Sequence, residues 1–208
     1  VRCEALREAI SRFEQVNMEE ILCGNGAAEL FFAAVQAVWP QKALVIAPSF
    51  SEYEEALRSV GAEVEYYYLC EEDNFQIRED YVDKLSEEID MIFLCNPNNP
   101  TGQTIDRDML IKILDRCKKQ NIVVILDECF LEFLDEPNRY EMSDLRGEYP
   151  NLLIIKAFTK IFSMPGLRLG YAISSNQDIL EEMSWKLQQW NVSVPAQMAG
   201  VAALEKPK

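Results

Sequence analysis

Lys160 and Arg168 stand eight residues apart in the segment Thr159-Lys160-Ile161-Phe162-Ser163-Met164-Pro165-Gly166-Leu167-Arg168, shortly after the apolar run 152–155. A lysine crowded by apolar neighbours is poorly solvated, which favours its neutral amine, and a neutral amine condenses with an aldehyde. Arginine stays protonated, and its planar fork suits a phosphate. An aldehyde and a phosphate on one molecule describe pyridoxal 5'-phosphate. A surface lysine beside a salt-bridged arginine would read the same way, so the segment needs company.

That company comes from four other places. Gly24-Asn25-Gly26 opens a helical pattern at Ala27-Ala28-Glu29, and the first amides of a helix can hold an anion. Pro48-Ser49-Phe50 follows the strand pattern 43–47, and Asn96-Pro97-Asn98-Asn99-Pro100-Thr101-Gly102 follows 91–95. Asp127-Glu128 caps the most apolar run, 122–126. Helical spacing predicts helices from Leu6 to Val16, to about Val38, over 52–60, through Leu110 to Cys117, and near 177–188 and 196–205. Further strands are predicted at Val64 to Tyr68 and Leu169 to Ile173. Continuous Val, Ile and Leu strands alternating with helices predict a largely parallel sheet covered on both faces. Ligands bind outside the carboxyl ends of such strands, so these segments should converge on one rim.

Composition narrows the ligand. A chain of 208 residues, 49% apolar, is long enough for one α/β domain with a buried core. A net charge of -15 argues against nucleic acid and against an anionic membrane surface, leaving a small molecule or a protein partner. There is no histidine, so lysine, tyrosine or a carboxylate must move any proton. The six cysteines form no Cys-x-x-Cys pair and fall mostly in apolar runs, which fits reduced thiols in a cytoplasm and offers no metal set. No signal peptide or bilayer-long apolar run is visible. The chain opens on Val1 and closes at Glu205-Lys206-Pro207-Lys208, and both ends read as cut from something longer.

The five motifs, in this order, resemble those of fold-type I pyridoxal-phosphate enzymes of the class I/II aminotransferase group. The resemblance implies a three-layer αβα domain over 1–208 with a mostly parallel seven-stranded sheet, the large domain of such enzymes. It also implies a homodimer whose N-terminal arm and small C-terminal domain lie outside this chain. By position, Lys160 would bind the cofactor covalently and then move protons at the substrate α-carbon. Asp127 would pair with the protonated pyridine nitrogen, although a turn cap at a strand end would look the same. Asn99 would bond the phenolic oxygen, and Phe50 would stack on the ring unless it is ordinary core. Gly26, Ala27, Ala28, Thr159 and Arg168 would hold the phosphate. Two departures stand out: Ala157 where the group often has Ser or Thr, and Phe130 where a tyrosine is common.

Within the group the chain resembles the branch holding histidinol-phosphate aminotransferase and L-threonine O-3-phosphate decarboxylase. The Phe-Thr-Lys-x-Phe-Ser-Met-Pro-Gly-Leu-Arg pattern, Phe130, and Trp190-Asn191-Val192-Ser193-Val194-Pro195 tilt it toward the decarboxylase of cobalamin synthesis. The substrate would then be a small phosphorylated amino acid or amine. Amino-acid transamination is the alternative, and a truncated domain that binds cofactor or dimerises without turnover is a third possibility. A nucleotide-binding protein is more distant, because no full Gly-x-Gly-x-x-Gly follows a first strand.

Overall fold

Runs such as Met91–Cys95 and Val123–Asp127 are almost wholly apolar, the pattern of strands buried on both faces. In the computed structural model, which describes residues 3–205, they form the middle of a seven-stranded sheet. Its strands are β1 Ile21–Gly24, β2 Lys42–Ala47, β3 Glu63–Tyr68, β4 Met91–Cys95, β5 Val123–Asp127, β6 Leu152–Ala157 and β7 Gly170–Ile173. The spatial order is β1-β7-β6-β5-β4-β2-β3. Strands β3, β2, β4, β5 and β6 pair in parallel, whereas β7 is antiparallel to both β6 and β1.

The helices are α1 Glu4–Glu14, α2 Ala27–Val38, α3 Glu52–Ser59, α4 Tyr81–Lys84, α5 Arg107–Gln120, α6 Phe158–Ile161, α7 Gln177–Lys186 and α8 Val194–Leu204. They sort into two layers. Leu30, Phe31, Tyr53, Leu57 and Met183, from α2, α3 and α7, bury one face of the sheet with Val45, Phe93 and Ile125. Leu6, Ile10, Leu110, Ile113 and Ala196, from α1, α5 and α8, bury the other with Ile92, Leu126 and Ile154. Each such side chain contributes about 1.5–3 kcal/mol relative to exposure. The expected αβα architecture is therefore present.

Two local expectations change. Residues 21–24, read as part of a glycine loop, form the edge strand β1. Four residues are too few for an alternation signal, and the strand exists by pairing Ile21–Gly24 with Ile173–Gly170. The strand expected at 152–155 continues to Ala157, which draws Lys156 into the sheet. Of the chain ends, residues 1–2 and 206–208 lie outside the described residues, and with them the expectation of truncation.

Candidate active site

The order of the sheet sets the location. The chain leaves β2 for β3 on one side and returns as β4 on the other, a switch point of the kind at which such sheets bind ligands. The two loops flanking it are the Pro48–Phe50 and Asn96–Gly102 segments, and Asn98 Nδ2 joins them by donating to the Pro48 carbonyl at 3.1 Å. The Asn96–Gly102 turn is braced from within. Asn98 Nδ2 also donates to Thr101 Oγ1 at 3.0 Å, and Asn96 Oδ1 accepts from the Ile105 amide at 2.9 Å. Asn99, the third asparagine of the turn, is half-buried.

Asp127 closes β5 beside Cys95, its neighbour in register on β4. It is buried, and both oxygens are engaged: Oδ2 accepts from the Tyr53 hydroxyl at 2.6 Å and Oδ1 from the Cys129 amide at 2.9 Å. Burial pushes the Asp127 carboxyl up, while these donors and the charge of Lys160 pull against it. Burial and the nearby Asp127 charge hold the Tyr53 hydroxyl well above its ordinary value, so it stays protonated and serves as donor. Tyr53 is itself clamped, stacked on Phe93 at 4.8 Å and edge-on to Phe50 at 5.7 Å. Phe50 is thus half-buried and joined to the carboxylate through one aromatic ring.

Tyr53 is the site residue that sequence reasoning missed. It sits in the first turn of α3, three residues after Phe50, and its partner Asp127 lies 74 residues further along the chain, so no local signal marks it. A hydrogen bond to a charged group contributes about 1.5–3 kcal/mol. Tyr53→Phe is therefore expected to weaken pyridoxal-phosphate binding by about 10-fold or more. Equilibrium titration of the cofactor's absorbance checks this.

The anion-binding end is built on α2. Gly26 caps that helix with φ 84°, a backbone state that favours glycine, and Ala27 and Ala28 offer their amides in its first turn. The Arg168 guanidinium lies directly over this turn: a Cβ on Gly26 would meet Nη2 at 2.7 Å. Gly170 at the start of β7 packs equally close, since its Cβ would meet the Ala27 nitrogen at 2.8 Å. Helix amides, a helix dipole and an arginine fork thus share one small volume, the donor set a phosphate requires. Thr159 is half-buried on α6, and among the described residues no hydrogen bond ties its side chain, or that of Asn99, to the other site groups.

Lys160 departs from expectation. It is exposed rather than crowded, in the single-turn helix α6, with Nζ 5.1 Å from the centre of the Phe130 ring. Its charge nevertheless acts on Asp127. The buried lysine of this segment is Lys156, on the opposite side of the sheet from Asp127. Its ammonium lies 2.9 Å from both Glu14 and Glu141, 3.6 Å from Glu128 and 3.8 Å from Glu132. The Tyr171 hydroxyl donates to Glu14. Burial alone would lower Lys156, but the carboxylates outweigh it and raise it.

Glu128 is wholly buried, and burial pushes its carboxyl from 4.5 up to about 8, opposed by Lys156. Its proton is bound more tightly in the folded chain than in the unfolded one. The associated stability is complete below about pH 4.5 and is lost as pH rises through about 8. Glu128→Gln is expected to flatten the decline of melting temperature across that window, as calorimetry at several pH values would record.

A cavity of about 700 Å³ opens on this reverse side, against Phe13, Phe162, Met164 and Ala203, and none of the expected site residues lines it. Among the described residues no group of three or more His, Cys, Asp or Glu side chains is placed to hold a metal ion. No helix among them is long and apolar enough to cross a membrane.

The family model for aminotransferases of class I and II matches residues 3–208. The chain belongs to that family. The class I/II aminotransferases are pyridoxal-phosphate enzymes, and the residues gathered here fit the group: an anion cradle over Gly26, a buried carboxylate and an accessible amine. Among similar proteins is the threonine-phosphate decarboxylase of Salmonella typhimurium, 36% identical over 200 residues, covering 96% of this chain and 54% of that protein. Another is a histidinol-phosphate aminotransferase of Desulfitobacterium hafniense, 38% identical over 208 residues, covering 97% of this chain and 56% of that one. The crystal structure of the histidinol-phosphate aminotransferase from Clostridium acetobutylicum superposes with a TM-score of 0.90 at 32% identity, over 98% of this chain and 60% of that one. The chain spans about half the length of the curated relatives it matches.

Proposed function

We propose that this protein takes part in the decarboxylation of L-threonine O-3-phosphate to (R)-1-amino-2-propanol O-2-phosphate, a step of cobalamin synthesis. The similarity to the Salmonella typhimurium threonine-phosphate decarboxylase, running through 96% of the chain, carries the proposal. Residues 1–208 would be the cofactor-binding large domain of a cytoplasmic homodimer.

Bound pyridoxal phosphate supplies an electron sink for cleavage of a bond at the substrate α-carbon. Lys160 would hold it covalently and would then carry a proton to or from the substrate α-carbon. Asp127, kept in place by Tyr53 and the Cys129 amide, would hold the proton on the ring nitrogen. Phe50 would cover the ring and Asn99 would bond the phenolic oxygen. The amides of Gly26, Ala27 and Ala28, with Arg168 and Thr159, would grip the phosphate.

The likeness to the Desulfitobacterium hafniense enzyme favours a second assignment, histidinol-phosphate or related amino-acid transamination. Incubating the protein with phosphothreonine and trapping carbon dioxide separates the two. Gas and an aminopropanol phosphate product support decarboxylation. Turnover of histidinol phosphate that depends on a keto acid, with no gas, overturns it. A coloured protein inactive in both assays would be a cofactor-binding domain without turnover.

A further inference from the structure

We propose that Glu29 and Asn191 are positioning residues for the phosphate cradle, holding the turn at Asn25 and Gly26 so that the Ala27 and Ala28 amides stay aimed at an anion. The inference rests on the cradle of the proposed function. It gives a task to segment 190–195, which that function leaves without one. Glu29 Oε2 accepts two hydrogen bonds, one from the Asn25 amide at 2.6 Å and one from Asn191 Nδ2 at 2.6 Å. Asn191 reaches it from 162 residues further along the chain.

The cap explains why such a brace is needed. Where Ser, Thr, Asp or Asn precedes a helix, its side chain ties down the first amides. Gly26 caps α2 with no side chain, which leaves the Ala27 and Ala28 amides to a ligand but leaves the turn without its usual tie. At φ 84° that glycine is also the freest residue of the turn. Glu29, in the first turn of α2, supplies the tie. In a capping box a carboxylate at this position reaches the amide of the cap residue; here it reaches one residue further back, to Asn25, and so spans the turn. An ordinary capping carboxylate would end there, whereas Glu29 is held again by Asn191. The loop that presents Asn191 is itself fixed. Val192 is 3% exposed, Ser193 Oγ accepts from the Ala196 amide at 3.3 Å, and Gln197 Nε2 donates to the Val192 carbonyl at 2.9 Å.

Two effects of Glu29 on a bound phosphate oppose each other. Its charge repels the anion, and its hydrogen bonds keep the amides aimed. Glu29 is half-buried, so solvent screens the repulsion to at most about 5-fold in affinity. A hydrogen bond to a charged acceptor is worth about 10-fold or more, so positioning outweighs repulsion. The two contributions can be separated because both donors converge on one oxygen. The amide oxygen of a glutamine has two lone pairs and can accept both bonds without the charge. An alanine can accept neither.

The test is titration of the folded chain and its variants with pyridoxal phosphate, pyridoxal and inorganic phosphate. Absorbance follows the first two, and the Ala27 and Ala28 amide resonances follow both phosphate ligands. Glu29→Ala and Asn191→Leu should each weaken pyridoxal phosphate and inorganic phosphate by about 10-fold. Pyridoxal, which lacks the phosphate, should bind these variants as it binds the unaltered chain. Glu29→Gln should restore phosphate affinity to within about 5-fold of the original. Equal loss of pyridoxal, a Glu29→Gln variant as weak as Glu29→Ala, or full phosphate affinity in Glu29→Ala would overturn the assignment. So would the absence of any shift at Ala27 and Ala28 with either phosphate ligand. If inorganic phosphate binds there and weakens in both variants while pyridoxal phosphate does not bind at all, the positioning role stands and the cofactor assignment falls instead.

Discussion

Lys160→Ala is expected to abolish covalent capture of pyridoxal phosphate and to reduce turnover by at least about 10⁴-fold, because both the attaching amine and the proton carrier are lost. The fold should hardly notice. Lys160 is exposed, and its recorded partner is the face of Phe130 at 5.1 Å, a contact contributing about 0.5–1 kcal/mol at such a site. Borohydride reduction of the loaded protein, followed by peptide mapping, reads the first effect, and melting reads the second. Recovery of reduced cofactor on Lys156, or on any other lysine, would remove Lys160 from its assigned role.

The second large effect is expected at Asp127. Asp127→Asn keeps the shape but removes the negative charge that would hold a proton on the ring nitrogen. Breaking a buried, hydrogen-bonded charge pair from one side costs about 3–5 kcal/mol, or roughly 150- to 5,000-fold in turnover. The substitution should also loosen Tyr53, whose hydroxyl donates to the lost carboxylate at 2.6 Å. Tyr53→Phe tests the same linkage from its other end, so the double variant should fall short of the sum of the two losses. Full additivity in single-turnover kinetics would mean that the two side chains act separately.

The central strands were legible because β4, β5 and β6 are buried on both faces and so are written as unbroken apolar runs. The loops that follow them carry the residues proposed for the chemistry, and parallel pairing brings the strand ends to one rim without any further information. What escaped depends on partners distant in sequence. Tyr53 reaches Asp127 across 74 residues, and nothing local in Glu52-Tyr53-Glu54 marks it as more than a helix residue. Strand β1 is defined by β7, almost 150 residues away. The burial expected of Lys160 falls on Lys156 for a related reason. Apolar neighbours in sequence suggested burial for Lys160, but solvent exposure follows from the end of β6 and the turn of α6. Lys156 is buried because four glutamates from α1, the β5 end and the loops after it surround its ammonium.

Successive side chains on a strand point to opposite faces, and β5 ends on Asp127 with Glu128 directly after it. Asp127 is delivered to the cofactor side and Glu128 to the lysine behind the sheet. Inserting one alanine before Leu126 would set that leucine against the tyrosine and turn Asp127 toward the lysine behind the sheet, leaving the front side without its carboxylate. Inserting two would restore the facing but push both acids one pleat beyond the rim. A graded insertion series would therefore alternate rather than decay smoothly, with the odd members failing at catalysis and folding together.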